Sequence, residues 1–193
     1  MDKLNDQDII NLVLEGNTNA FAVLVDRYKD LVFTLSLKML QNREEAEEAA
    51  QDTFVKVYKS LQTFRQESKF STWIYKITYN NCLDRLKKQK RKRQVVAIDE
   101  FTEHEVRSLM NVLETIEENE RKQMIKNCLE SLPADESFLL TLYYFNEHSI
   151  KEISTIMGIN ENNLKIKLYR TRKKLAGILK SNLEPEIIDQ YEK

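Results

Sequence analysis

The scarcity of glycine and proline is the feature that most restricts what this chain can fold into. Its 193 residues include three glycines and two prolines. Proteins usually contain about 12% of these two residue types, and folds with many tight turns depend on them. All-β sandwiches and barrels are therefore disfavoured. The glycines do not form either of the phosphate-binding patterns G-x-G-x-x-G and G-x-x-x-x-G-K-[ST], so no nucleotide-binding site is expected.

Apolar residues instead recur with the 3.6-residue period of amphipathic helices. The clearest pattern runs from Ala20 to Met39, and others cover Ala46–Leu61 and Trp73–Leu86. Further along the chain, Pro133 suits the first turn of a helix that continues through Phe145. The sequence predicts an all-α protein of two small helical domains, at residues 1–93 and 113–182, with a flexible acidic linker at 94–112 and a tail at 183–193.

Charge is strongly segregated although the formal net charge is only −1. Seven of nine residues are basic from Arg85 to Arg93, and seven basic residues without an acid lie between Leu164 and Lys180. Between these blocks, eight acids and one basic residue occupy Gln94–Glu120. Two cationic surfaces are therefore expected on either side of an anionic linker.

Several classes of protein are disfavoured by what the sequence lacks. No apolar stretch approaches the roughly 18 residues of a membrane span, and the first twenty residues do not resemble a secretory signal. Cys82 and Cys128 are isolated and only two histidines are present, which predicts buried thiols and no metal site. We expect a cytoplasmic protein that is not an enzyme and needs no cofactor or small-molecule substrate.

The most specific local pattern predicts a helix-turn-helix. Ser149 and Glu152 form a capping box, Gly158 suits a left-handed helix end, and Asn160 can cap the next helix. That second helix has a leucine stripe and is otherwise loaded with basic residues, as in a helix that reads the major groove of DNA. A plain helical hairpin, a membrane-surface helix or a calmodulin-like partner remain alternatives.

Two polar segments of the first domain have both a functional and a structural interpretation. Glu48, Gln51 and Asp52 lie within one helical turn, as either a protein-docking patch or a solvated face. The segment Thr63–Trp73 interleaves aromatic and basic residues, a pattern that holds single-stranded nucleic acid. Its aromatics could equally complete the core, which is the stronger interpretation for Phe64 and Trp73 but leaves Phe70 open.

Three blocks together resemble bacterial sigma factors of the extracytoplasmic-function (ECF) group. They are E-E-A-E-E-A-A-Q-D-T-F-V-K-V-Y, F-S-T-W-I-Y-K-I-T-Y-N and the C-terminal I-K-E-I-S-T-I-M-G-I-N-E-N-N-L-K-I-K-L-Y-R-T-R-K-K-L. The resemblance spans about Ala20 to Leu179. It implies sigma domains 2 and 4, core RNA polymerase as partner through its β′ clamp helices and β flap, promoter DNA as target, and an anti-sigma factor as a common regulator.

The resemblance also implies roles for individual residues. Three match the positions that bind the polymerase clamp helices: Glu48, Gln51 and Asp52. A second set matches the segment that captures and melts the minus-10 element: Arg65, Lys69, Phe70, Ser71, Thr72, Trp73, Tyr75, Lys76 and Asn80. A third set matches the reader of the minus-35 element: Asn162, Asn163, Lys165, Lys167, Tyr169, Arg170, Arg172 and Lys173.

Other functions compete with a sigma factor. A helix-turn-helix regulator would bind duplex DNA tightly without polymerase. A single-strand or RNA-binding module would use the first domain and leave the second unexplained. An enzyme is the weakest option, since no nucleophile-base pair or metal spacing converges in the sequence.

Overall fold

The computed structural model describes residues 4–89 and 118–182, and all regular elements in these ranges are helical. This confirms the predicted all-α class for the described part of the chain. The helices are α1 (Asp6–Leu14), α2 (Ala20–Leu40), α3 (Arg43–Ser60), α4 (Phe70–Gln89), α5 (Glu118–Ser131), α6 (Ala134–Leu140), α7 (Ile150–Met157) and α8 (Glu161–Asn182).

Contacts divide the chain into two compact units. Of the described residues, 4–89 and 151–158 belong to the first unit, and 118–150 and 159–182 belong to the second. The predicted linker at 94–112 and tail at 183–193 lie outside the described residues, so the predicted domain boundaries stay predictions. Among the helices that the structure describes, none has the length and apolar character needed to cross a bilayer.

Helices α1 to α4 enclose the apolar core of the first unit. The fully buried positions Leu24 and Val32 of α2 meet Val57 of α3 and Ile74 of α4. The helical period of the sequence predicted these faces. The patterns above did not predict α1, whose Asp6 carboxylate accepts hydrogen bonds from the α2 side chains of Arg27 and Tyr28.

Asparagine caps fix where two of these helices begin. The Asn5 side chain accepts a hydrogen bond from the backbone N–H of Asp8 at 2.9 Å, and Asn42 does the same for Glu45 at 3.0 Å. Each cap satisfies one of the backbone donors that a helix start leaves without a partner. Gln41 ends α2 in the left-handed conformation, with a φ of 54°.

In the second unit, α5 packs against α8 around the buried side chains of Cys128 and Leu179. Helix α6 begins directly after Pro133 and continues into a π-helical turn at Thr141–Phe145. The sequence predicted that the apolar pattern of this helix continues through Phe145, whereas the Phe145 side chain is exposed. A π-helical turn has more residues than an α-helical turn, so it shifts the phase of the side chains that follow.

The predicted break between the two helices of the helix-turn-helix segment is confirmed. Gly158 has a φ of +67°, a conformation that glycine adopts without the strain of a Cβ atom. Its N–H donates to the Ser154 carbonyl at 2.9 Å, which closes α7. The Asn160 side chain then accepts from the N–H of Asn163 at 2.9 Å and caps α8.

Candidate functional site

The predicted docking residues form one exposed face of α3. Glu48, Gln51 and Asp52 are exposed, while Ala49 and Thr53 beside them are buried. Two further exposed residues of α3, Val55 and Tyr58, continue the same row at helical spacing. We call these five residues the docking face: Glu48, Gln51, Asp52, Val55 and Tyr58.

Sequence reasoning missed the apolar end of the docking face. Val55 and Tyr58 do not belong to the buried stripe of α3, and Val55 is 52% exposed. An apolar residue out of phase with the buried period is the signal that could have revealed them. The face therefore offers acids at one end and apolar area at the other.

Arg85 of α4 reaches two of the acids. Its Nη1 donates to Glu48 Oε2 at 3.2 Å, and its Nη2 donates to Asp52 Oδ2. The sequence places Arg85 at the start of a basic block, where a cationic surface is expected. In the structure, the Arg85 guanidinium instead binds two acids of the docking face.

A buried polar network fixes α4 against α3 below the docking face. The Asn81 amide donates to the Ala49 carbonyl at 2.9 Å and to the Thr53 hydroxyl at 3.2 Å. Its Oδ1 accepts from the Lys56 ammonium at 2.6 Å. Because buried amides are stable only when hydrogen-bonded, this network ties the register of α4 to that of α3.

The residues predicted for the minus-10 element separate into buried and accessible groups. Phe70, Thr72 and Tyr75 are buried, and Phe70 is 4% exposed. The Phe70 ring lies 5.5 Å from that of Tyr28 and 5.3 Å from that of Phe64, so the core interpretation holds for it. These three side chains are buried because α4 turns them toward the core, and their role at the minus-10 element stays a prediction.

The accessible group lies along the segment before α4 and on the outer side of that helix. Arg65, Lys69, Lys76 and Asn80 are exposed, and Ser71 and Trp73 are half-buried. Trp73 packs with one side on the core, with its ring 5.3 Å from that of Phe64, in agreement with the core interpretation of both. We call these six residues the loop surface: Arg65, Lys69, Ser71, Trp73, Lys76 and Asn80.

The residues predicted for the minus-35 element also separate. Those that stand exposed on α8 are Asn162, Asn163, Lys165, Tyr169 and Arg170. Ile166, between them, is 51% exposed and was not among the predicted contacts. With Ile166 included, these six residues are called the recognition face below.

The remaining basic residues of this set have partners within the protein. Lys167 pairs with Asp135 of α6 at 2.8 Å, and Lys174 on the same side of α8 pairs with Glu136 at 2.7 Å. The Arg172 guanidinium lies 5.4 Å from the centre of the Tyr143 ring and 5.3 Å from that of Tyr144.

Lys173 keeps a different position, with its ammonium 4.8 Å from the centre of the Tyr169 ring. It is half-buried and lies beside the recognition face. Cations held over aromatic faces gain about 0.5–1 kcal/mol at exposed sites. Tyr169 and Lys173 therefore restrict each other's motion on the surface of α8.

Both cysteines are free and buried, as the sequence predicted. Burial raises the pKa of the Cys82 thiol, and it also raises the pKa of the Cys128 thiol. In the part of the chain that the structure describes, no group of three or more His, Cys, Asp or Glu side chains is placed to hold a metal ion.

Two models of known protein families match separate parts of the chain. Residues 24–92 match the family model of Sigma-70 region 2, and residues 122–175 match that of Sigma-70 region 4. These two matches together cover more than half of the chain and define a sigma-70 type of protein.

Two relatives show to which group of sigma factors the chain belongs. The ECF RNA polymerase sigma factor SigW of Bacillus subtilis is 32% identical over 177 residues, which cover 89% of this chain and 95% of the relative. The RNA polymerase sigma-H factor of Pseudomonas aeruginosa is 28% identical over 180 residues, or 90% of this chain and 93% of the relative. The chain belongs to the ECF group of RNA polymerase sigma factors, as the sequence blocks indicated.

Solved structures share the fold. CnrH, in its complex with the cytosolic domain of CnrY, matches with a TM-score of 0.63 at 20% identity and covers 92% of this chain and 99% of that one. The sigma factor RpoE, in complex with the anti-sigma factor NepR from Bartonella quintana, matches with a TM-score of 0.59 at 19% identity. This match covers 84% of this chain and 98% of that one.

Proposed function

We propose that this chain binds core RNA polymerase, directs it to specific promoters and helps to melt the minus-10 element. The observation that carries the proposal is the presence of region 2 and region 4 in one chain, each with its own exposed surface. A regulator that binds duplex DNA alone would leave the region 2 surfaces without a role, so this alternative is not favoured.

The docking face is the proposed contact with the β′ clamp helices. Its carboxylates suit a basic partner, and Val55 and Tyr58 supply apolar area of the kind that is buried at the centre of stable interfaces. The β flap is the proposed partner of the second unit.

The loop surface is the proposed minus-10 contact. Arg65, Lys69 and Lys76 supply positive charge for phosphates, and the accessible side of Trp73 supplies a stacking surface for a base. Base stacking of this kind contributes about 1–3 kcal/mol per base. Asn80 adds an exposed amide next to this path.

The recognition face is the proposed minus-35 reader. Asn162, Asn163 and Arg170 present the amides and the guanidinium that form paired hydrogen bonds with adenine and guanine in the major groove. Lys165 supplies charge for phosphates. Lys167 and Arg172 are proposed as flanking contacts, which exchange their present partners for phosphates when DNA binds.

The proposed regulator and cellular location of this chain are those expected of the sigma factor family. A solved sigma factor of the same fold is held by an anti-sigma factor, and we propose an anti-sigma partner for this chain as well. We also propose that the chain acts in the cytoplasm and catalyses no reaction of its own. The anti-sigma proposal is tested by measuring whether a candidate from the same organism competes with core polymerase for the purified chain.

The test of the function is binding to purified core RNA polymerase, followed by transcription from a library of random promoters. We expect one-to-one binding and sequence-selective initiation. The variant with Glu48, Gln51 and Asp52 replaced by alanine should lose binding and keep its helical content, because the buried stripe is untouched. Its control replaces the exposed acids Asp26 and Asp30 of α2, which removes the same charge elsewhere.

Three outcomes would contradict the proposal. Failure of the chain to bind core polymerase, together with tight binding to duplex DNA, would make it a regulator. Equal loss in the α2 control would mean that total charge, not the docking face, determines binding. Retained binding in the α3 variant would move the docking site elsewhere.

A further inference from the structure

Arg85 connects α4 to the docking face through two separate hydrogen bonds. It lies 37 residues from Glu48 and 33 residues from Asp52 in the sequence, and it binds one carboxylate oxygen of each. We propose that Arg85 is a positioning residue for polymerase binding, which holds the Glu48 and Asp52 carboxylates in the arrangement that the polymerase recognises. This inference rests on the proposed function and assigns a role to a residue outside the exposed row of α3.

The environment of Arg85 sets it apart from the two other basic residues of this block that the structure describes. Its side chain is 23% exposed, whereas the neighbouring Lys87 and Lys88 are exposed. A guanidinium presents its donors in a rigid planar fork, so one arginine can hold two carboxylates at a fixed separation. The two bonds use two of the five N–H donors of the guanidinium and hold it against α3.

The pairing leaves the docking face able to bind a partner. Each carboxylate has about four acceptor positions on two oxygens. Arg85 occupies Glu48 Oε2 and Asp52 Oδ2, which leaves the second oxygen of each group for an incoming basic side chain. The Glu48 side chain is itself 72% exposed, so the guanidinium holds this acid without covering it.

The pairing also removes a local cost. Glu48 and Asp52 are four residues apart on one helix, a spacing at which like charges destabilise each other. Arg85 offsets this repulsion, and the Asn81 network beneath it keeps α4 at a constant distance from α3. The two acids are thereby ordered before the partner arrives, which lowers the entropy lost on binding.

The experiment measures the affinity of the full-length chain for purified core polymerase. We expect Arg85→Ala to weaken binding at least about fivefold, the effect of leaving two side chains to be ordered on binding. Arg85→Lys should restore part of the loss, because lysine keeps the charge but lacks the fork. The matched control is Arg43→Ala. It removes an arginine of α3 that pairs with Glu47 of the same helix at 3.0 Å, and both residues lie outside the docking face.

A double-mutant cycle separates positioning from a purely structural role. If Arg85 acts through the acids, Arg85→Ala should have a smaller further effect on affinity once Asp52 alone is replaced by Asn, a background that keeps Glu48 and Gln51 for binding. A loss of the same size in both backgrounds would overturn the inference. So would an equal loss in the Arg43→Ala control, or a gain in affinity, which would mean that Arg85 masks the acids.

The design also distinguishes the failure of this inference from that of the proposed function. If the alanine variant of Glu48, Gln51 and Asp52 loses polymerase binding while Arg85→Ala stays within twofold of the unmodified chain, only the role of Arg85 is wrong. If this triple alanine variant keeps its polymerase binding, the assignment of the docking face as the polymerase contact is wrong.

Discussion

Replacement of Asn81 by alanine should strongly destabilise the first unit, whereas the same replacement at the adjacent Asn80 should not. The two asparagines are consecutive on α4 but face opposite environments. Asn81 is buried and bridges α4 to α3, whereas Asn80 is exposed on the loop surface. The pair compares one residue type in a structural and in a proposed functional position.

The magnitude follows from the bonds of Asn81. Its amide donates at 2.9 Å to the Ala49 carbonyl and at 3.2 Å to the Thr53 hydroxyl, and its oxygen accepts from Lys56 at 2.6 Å. Each neutral hydrogen bond contributes about 1 kcal/mol net, and a bond to a charged group contributes about 1.5–3 kcal/mol. Lys56 is exposed and can return to water, which reduces its share. We expect the free energy of unfolding to fall by about 2–3 kcal/mol.

The single tryptophan makes this measurement specific to the first unit. Trp73 packs beside Phe64 and Phe70, so its fluorescence reports the loss of that core during urea unfolding. With a typical urea dependence of about 1–3 kcal/mol per molar, Asn81→Ala should lower the unfolding midpoint by about 0.7–3 M. Asn80→Ala should change the free energy of unfolding by less than about 0.5 kcal/mol.

The functional assay should give the opposite order. Asn80→Ala should impair promoter opening by the assembled holoenzyme, whereas Asn81→Ala should open promoters normally at temperatures where it remains folded. An unfolding midpoint unchanged in Asn81→Ala would refute the proposed bridge between α3 and α4. Equal destabilisation by both replacements would show that Asn80 also has a structural role.

Three further predictions concern α8 and the thiols. If Ile166 contacts a thymine methyl group, uracil at that minus-35 position should weaken binding about fourfold, from the roughly 0.8 kcal/mol of one methyl group, and Ile166→Ser should remove this sensitivity; equal sensitivity in both proteins would contradict the contact. Asp135→Asn should release Lys167 and raise the affinity for minus-35 DNA at low salt by up to about fivefold, because such an ion pair contributes up to about 1 kcal/mol. This gain should disappear in a Lys167→Ala background. Because burial raises the pKa of both thiols and shields them, Cys82 and Cys128 should react with a thiol reagent at pH 8 far more slowly in the native chain than in denaturant, and fast native reaction would contradict their burial.

Much of the fold was predictable because its determinants are local. The helical period of Ala20–Met39, the glycine at 158 and the cap at Asn160 act within a few residues of where they stand, and each was confirmed. The exposed acids of α3 were also predictable, since their phase follows from the buried stripe. The π-helical turn was not, because no local pattern marked the change of phase before Phe145.

The sequence by itself determined the helices other than α1, the turn between α7 and α8 and the charge of each surface. Only the tertiary structure decided which charged groups are available to a partner. Arg85 and Lys167 both belong to basic blocks, yet each pairs with acids more than 30 residues away. Phe70 likewise enters the core because α2 and the segment before α4 surround it. Helix formation depends on near neighbours in the sequence, whereas the partners of a long side chain depend on which distant segments the fold brings beside it.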